Sequence, residues 1–243
     1  MKKIACVIPA RLKSTRFPHK VLSLLQGKPL VQWVWEAARS VPFFDSVTIV
    51  VDAEETAATV RGFGGEYLMT SESCPSGTMR LCELLSHQKI EGDIFVCWQA
   101  DEPFLHEEMI ENLLQSASQD SADVWTLKKR LTNSEDINSP HIPKVVTDVH
   151  GYALYFSRSP IPYHRDLLET VYYKHIGIYA YTKKALLHLA NTPSCHLAEA
   201  EQLEQLNFLY HGLKVRVHET AFEGFGIDIP DHLDKASAFL TRK

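Results

Sequence analysis

Short apolar runs and longer stretches of helical character alternate through the first half of the chain. Ile4 to Ala10 is apolar throughout and ends in proline, the pattern of a strand buried on both faces. A polar loop follows, and Leu30 to Ala38 then reads as a helix. Ser46 to Asp52 is β-branched and predicts a second buried strand, with an alanine- and glutamate-bearing helix running to about Phe63. Glu66 to Thr70 predicts a shorter strand, Thr78 to Ser86 a helix, Asp93 to Gln99 a fourth strand, and Glu107 to about Ser118 a helix. Four β–α units in succession predict an α/β fold with a doubly wound, mostly parallel sheet.

Beyond Asp123 the pattern changes. Val124 to Leu131, Lys144 to Val149 and Tyr152 to Ser157 are strand-like, and only His150-Gly151 separates the last two, which predicts a hairpin. Val171 to Tyr181 is a further strand. Helices are predicted near Lys183–Ala190 and Ala198–Tyr210, a strand at Lys214–Glu219, and a closing helix from Asp231. The whole of residues 1–243 reads as one domain, with a soft boundary that gives halves 1–122 and 123–243.

The net charge of −5 excludes a protein that coats itself on nucleic acid, which needs a basic surface to displace counterions. The five cysteines are odd in number and lack C-x-x-C spacing, as expected of a reduced protein without a zinc site or disulfide framework. Only six apolar residues follow Met1-Lys2-Lys3, too few for a signal peptide, and no run reaches the length of a membrane span. The expectation is a cytoplasmic protein with no membrane insertion.

Against that acidic background, Arg11, Lys13, Arg16 and Lys20 fall within ten residues of the loop after the first strand. Such a loop lies at the carboxyl edge of the sheet, where open α/β folds bind ligands. Neither the Rossmann nor the Walker glycine spacing is present. What the segment offers is guanidinium forks, lysines, and the hydroxyls of Ser14 and Thr15, stiffened by Pro9 and Pro18; that set suits a polyphosphate, and a solvated basic loop is the plainer alternative. Asp101 follows the fourth strand directly, placed either to hold a hard cation or to cap a helix. Asp228, after Gly224 and Gly226, is either a second ligand or a turn residue. Ser76-Gly77-Thr78 opens a helix whose amides face outward, as at an anion site.

The run I-P-A-R-x-x-S-T-R-x-P-x-K from Ile8 to Lys20 resembles the signature of the sugar-activating cytidylyltransferases, in particular those acting on 3-deoxy-manno-octulosonate. The similarity extends to Ser76-Gly77-Thr78, Gln99 to Pro103, Gly151 to Arg158, His175 to Tyr179, Leu203 to Leu206 and the Asp228 region. This resemblance implies a nucleotidyltransferase fold of GT-A-like type with a sugar-binding and dimerisation extension in the second half, and a homodimer. It implies the substrates CTP and 3-deoxy-manno-octulosonate, pyrophosphate as the second product, and a place in lipopolysaccharide synthesis. Ala10, Arg11, Ser14, Thr15, Arg16, Lys20, Ser76, Gly77, Arg80 and Gln99 are then the nucleotide contacts, with Arg80 and Gln99 reading cytosine. Arg11, Arg16, Lys20 and Asp101 carry catalysis, and Asp101 and Asp228 hold Mg2+. Arg158, His175, Tyr179, Glu204 and Gln205 take the sugar acid; without the resemblance, Tyr179 reads as core and Glu204 as a solvated helix face. Met79 and Ala100 depart from the glutamate and glycine usual in the family. A synthetase activating sialic acid or another sugar acid shares the loop and Asp101 but not the matches at Gly151–Arg158 and Leu203–Gln205.

Overall fold

Ile4–Ala10 forms strand β1, buried almost end to end, because a parallel strand covered on both faces has no position left for a polar side chain. A computed structural model describes residues 2–14, 17–165 and 170–241. Thr15 and Arg16, both assigned above to the nucleotide, lie outside the described residues.

Two compact units emerge, Met1–Glu107 with Gly224–Lys243, and Glu108–Glu223. This corrects the expected halves: the chain leaves the first unit before residue 122 and returns to it at Gly224, so Asp228 belongs with Asp101. In the first unit β1 is followed by a 3-10 turn at Lys20–Leu22 and by a hairpin of β2 (Leu24–Leu25) and β3 (Lys28–Pro29). Gln26 and Gly27 at its tip both have positive φ, 49° and 78°, as a two-residue hairpin turn of the I′ type requires. Then come α1 (Leu30–Ser40), β4 (Ser46–Val51), α2 (Glu54–Gly62), β5 (Tyr67–Met69), α3 (Gly77–Ser86) and β6 (Ile94–Cys97). The sheet order is β6-β1-β4-β5, every neighbour parallel, with Ala10 of β1 in register with Val51 of β4. Helix α1 shows why the sequence reads as it does: Leu30, Val31, Val34 and Ala38 share one face and are fully buried. Each such Leu or Val contributes about 1.5–3 kcal/mol by leaving water. The closing helix Asp231–Thr241 buries Ala236 beside Leu25, Leu30 and Ile227.

The second unit contains α4 (Glu107–Leu114), β7 (Val124–Leu131), α5 (Ser134–Asn138), β8 (Lys144–Thr147), β9 (Ala153–Ser157), β10 (Tyr172–Thr182), α6 (Lys183–Leu189), α7 (His196–Glu201), α8 (Gln205–Tyr210) and β11 (Val215–Glu219). Strand β7 pairs antiparallel with β10 and parallel with β11, and β8 pairs antiparallel with β9 and β10. The expected hairpin is present, with a longer turn: Asp148 Oδ1 accepts from the His150 and Tyr152 amides, and Gly151 takes φ 79°. The helix expected over Ala198–Tyr210 is two helices. Gln202 adopts φ 50°, ψ 49°, which ends α7, and α8 starts afresh at Gln205.

Candidate functional site

In the first unit the basic loop and both aspartates converge on one lysine. Lys20, at the head of the 3-10 turn, is only 8% exposed despite its charge. Its ammonium donates to Asp101 Oδ2 and lies 3.4 Å from Asp228 Oδ1, so the buried cation is compensated from both sides. Two turns hold the carboxylates there. After β6 the Glu102 amide donates to the Gln99 carbonyl (3.1 Å), and Trp98 Nε1 donates to the Glu102 carbonyl (3.0 Å). The Asp101 carbonyl accepts from the Ile227 amide at 2.8 Å, and the Asp228 amide donates to His232 Nδ1 at 3.2 Å. Gly224 packs close against Leu105: a Cβ there would stand 2.7 Å from Leu105 Cδ2 and would displace that methyl group. Glu102 is drawn into the same field. Burial, reinforced by Asp101 and Asp228 and opposed by Lys20, pushes its carboxyl up to about 7.

Arg11, Lys13, Ser14, Pro18 and His19 line a cleft of about 340 Å3 in this unit. Arg11 is exposed, and Lys13 pairs with Glu72. Ala10, the last residue of β1, is fully buried. Ser76 caps α3, its Oγ accepting from the Met79 amide at 3.3 Å. Gly77 packs close to Gln99: a Cβ would come within 3.1 Å of Gln99 Nε2 and of Pro9 Cγ.

Arg80 stands differently from its expected role. It is 2% exposed, and its Nη2 donates to Asp52 Oδ2 (2.8 Å) while Nη1 donates to Thr70 Oγ1 (2.7 Å) and the Ser71 carbonyl (3.3 Å). A guanidinium so engaged is committed to the protein. Asp52, the partner of Arg80, carries the same signal that picked out Asp101, a carboxylate directly after a buried strand, and was not singled out from the sequence.

The second unit brings three of the nominated sugar residues together. A bulge in β10 between Ile176 and Tyr179 shifts the register against β7, and His175 and Tyr179 on either side of it are both buried. Thr126 Oγ1 lies 2.9 Å from His175 Nε2 and 2.8 Å from the Ile178 carbonyl. Gln205 Nε2 reaches His175 Nδ1 (3.4 Å), and Tyr179 Oη donates to Gln205 Oε1 (3.2 Å). The network closes with His175 protonated on Nε2 and accepting at Nδ1. Burial pushes the His175 pKa down to about 3, so the ring stays neutral. Glu204 stands half-buried at the head of α8, beside this cluster in sequence.

Arg158, expected to meet a substrate carboxylate, donates instead from Nε, Nη1 and Nη2 to the carbonyls of Glu201, Pro140 and Gln202, at 2.5, 2.8 and 3.1 Å. It braces the break between α7 and α8. Glu201, which no sequence signal marked, accepts from Ser157 Oγ and from the Arg158 amide.

With this geometry in hand, comparison with known proteins is specific. The family model described as cytidylyltransferase matches residues 5–216. A 3-deoxy-manno-octulosonate cytidylyltransferase of Thermodesulfovibrio yellowstonii is 42% identical, with 97% of each chain covered. One of Geobacter sulfurreducens is 41% identical over 96% of this chain and 97% of its own. Among solved structures, a CMP:2-keto-3-deoxy-manno-octonic acid synthetase complexed with CTP superposes with a TM-score of 0.93 at 38% identity, covering 99% of both chains. The inositol-1-phosphate CTP transferase of T. maritima, at a TM-score of 0.67 and 17% identity, shares the fold, which is of nucleotidyltransferase-like α/β type.

Proposed function

The chain belongs to the cytidylyltransferase family of the 3-deoxy-manno-octulosonate type, and on that footing we propose that it converts CTP and 3-deoxy-manno-octulosonate into the CMP-sugar and pyrophosphate. The observation that carries the reading is the convergence of Asp101 and Asp228 on Lys20, in the unit that also carries the Arg11–Lys20 loop. The anomeric hydroxyl oxygen of the sugar bonds to the α-phosphorus, the bond from that phosphorus to the bridging oxygen breaks, pyrophosphate leaves with the electron pair, and the hydroxyl proton passes to water.

In this reading Ala10, Arg11, Ser14, Thr15, Arg16, Ser76, Gly77 and Gln99 hold the nucleotide. Lys20, with Arg11 and Arg16, stabilises charge as it builds on the phosphates. Asp101 and Asp228 fit Mg2+, because two hard oxygen donors already bracket one cationic point and magnesium takes few protein carboxylates, filling its shell with phosphate and water. The chemistry that ion supplies when bound is charge neutralisation at the α-phosphate and a lower pKa for the attacking hydroxyl. His175, Tyr179, Glu204 and Gln205 orient the sugar acid, and the neutral imidazole acts as a fixed hydrogen-bonding partner rather than as a base. The product supplies lipopolysaccharide synthesis in the cytoplasm. The protein works as a homodimer; Val149 and Leu154, 93% and 62% exposed beside and on β9, support a partner on that hairpin.

Pyrophosphate release measured over a panel of nucleotides and sugars tests the activity. Turnover is expected only with CTP, the octulosonate and Mg2+ together. Equal turnover with sialic acid, or none with the octulosonate, overturns the substrate assignment.

A further inference from the structure

We propose that Arg80 is a positioning residue for the phosphate loop, acting through Asp52 on the Leu12 amide, and that it does not read the base. The inference rests on the reading that the Arg11–Lys20 loop receives a triphosphate. Strands β1 and β4 run in parallel register as far as Ala10 and Val51, and there their backbone ladder ends. One residue beyond Val51, the Asp52 carboxylate takes over. Its Oδ1 accepts from the Leu12 amide at 2.9 Å, which fixes the loop between Arg11 and Lys13. The other oxygen, Oδ2, accepts from Arg80 Nη2, and the two side chains are 4% and 2% exposed.

The same guanidinium reaches the end of the next strand. Through Nη1 it binds Thr70 Oγ1 and the Ser71 carbonyl, just past β5. One turn further along α3, Glu83 accepts from the Ser71 amide at 2.9 and 3.2 Å. Helix α3 therefore ties the carboxyl ends of β4 and β5 together, and through Asp52 it ties the loop after β1 to both. A planar fork with fixed directions suits this task where a lysine would not. A base reader has to turn its donors toward the ligand; Arg80 points them at Asp52, Thr70 and Ser71, and its charge is cancelled by Asp52. The return on this arrangement is preorganisation, since backbone already fixed at Leu12 loses less freedom when phosphate binds beside it.

The two roles separate on ligands with and without a base. Calorimetric titration of CTP, UTP and inorganic tripolyphosphate onto the full-length protein is to be run for wild type, Arg80→Lys and Asp52→Asn. Both variants are expected to weaken all three ligands by about tenfold, as misplacement of a contact loop does, with the preference for CTP over UTP unchanged. In the ligand-free protein the Leu12 amide, labelled with 15N, is expected to shift and to exchange faster with solvent in both variants. A fall in the CTP preference with tripolyphosphate binding unaltered overturns the proposal and returns Arg80 to the base; so does a Leu12 amide that does not respond. Where Arg80→Lys fails to fold, Asp52→Asn alone decides, because it removes the charge that Arg80 pairs with and weakens the acceptor that holds the Leu12 amide. Failure of wild type to bind tripolyphosphate would count against the phosphate-loop reading, whereas the ligand-free Leu12 measurement still reports on the strut itself.

Discussion

His175 makes the second unit acid-sensitive, and the size of the effect follows from its environment. The buried ring takes no proton until about pH 3, whereas an imidazole in the unfolded chain titrates near about 6.5. Between those values the unfolded state binds a proton that the folded state refuses. Stability is thus fully present above the unfolded value and is lost as pH falls toward the folded one, at about 1.4 kcal/mol per unit. At pH 5 His175 therefore costs about 2 kcal/mol relative to neutral pH. His218, pushed down to about 4 by burial and then by Arg216, adds about 2 kcal/mol at the same pH. Urea unfolding at pH 7.5 and 5.0 compares wild type with His175→Gln. The variant is expected to be less stable at pH 7.5, because the contacts with Thr126 and Gln205 are disturbed. It is also expected to lose about 2 kcal/mol less than wild type on acidification, because the His175 contribution is gone while the opposing terms of His218 and Glu102 stay the same. Equal losses in the two proteins would refute the reasoning, since the variant has nothing to titrate at that position.

Two further outcomes follow from the site and the fold. Asp101→Asn is expected to lower turnover at least about a hundredfold, in keeping with removal of a principal transition-state contact, and to weaken Mn2+ binding measured by paramagnetic resonance; near-normal turnover with intact folding would remove Asp101 from the reacting centre. Gln202→Gly is expected to hold or raise stability by up to about 1 kcal/mol and Gln202→Val to lower it by at least about 1 kcal/mol, because only glycine occupies that left-handed conformation without strain; thermal melts of the pair check this, and the reverse order would place the cost elsewhere.

Much of the fold was legible because parallel strands leave a plain trace. Ile4–Ala10, Ser46–Val51 and Ile94–Cys97 are short, rich in apolar and β-branched residues and punctuated by polar loops, so both their existence and their order could be read. The hairpin at Leu24–Pro29 was not, since its two-residue strands are too short to show alternation. The break between α7 and α8 was hidden for another reason. Glutamine has no special liking for φ 50°, and what holds Gln202 there includes Arg158 drawing on its carbonyl from a distant segment. That contact also gives Arg158 a structural task that its sequence context does not announce. A sequence shows that a cation is present but not which carbonyls absorb it. Arg80 repeats the lesson with Asp52. Lys20, Asp101 and Asp228 stood out because motifs surround them, and the structure places them side by side.

The order of these residues along the chain has a consequence for synthesis. Asp101 is made before the second unit begins, and Asp228 only after that unit is complete. A chain released from the ribosome anywhere before Gly224 carries the basic loop and one carboxylate but lacks the other, together with Ile227, which clasps the Asp101 carbonyl. Truncated products are thus left without half of the acidic clamp. A finished pair of carboxylates exists only in a chain that already carries the whole second unit.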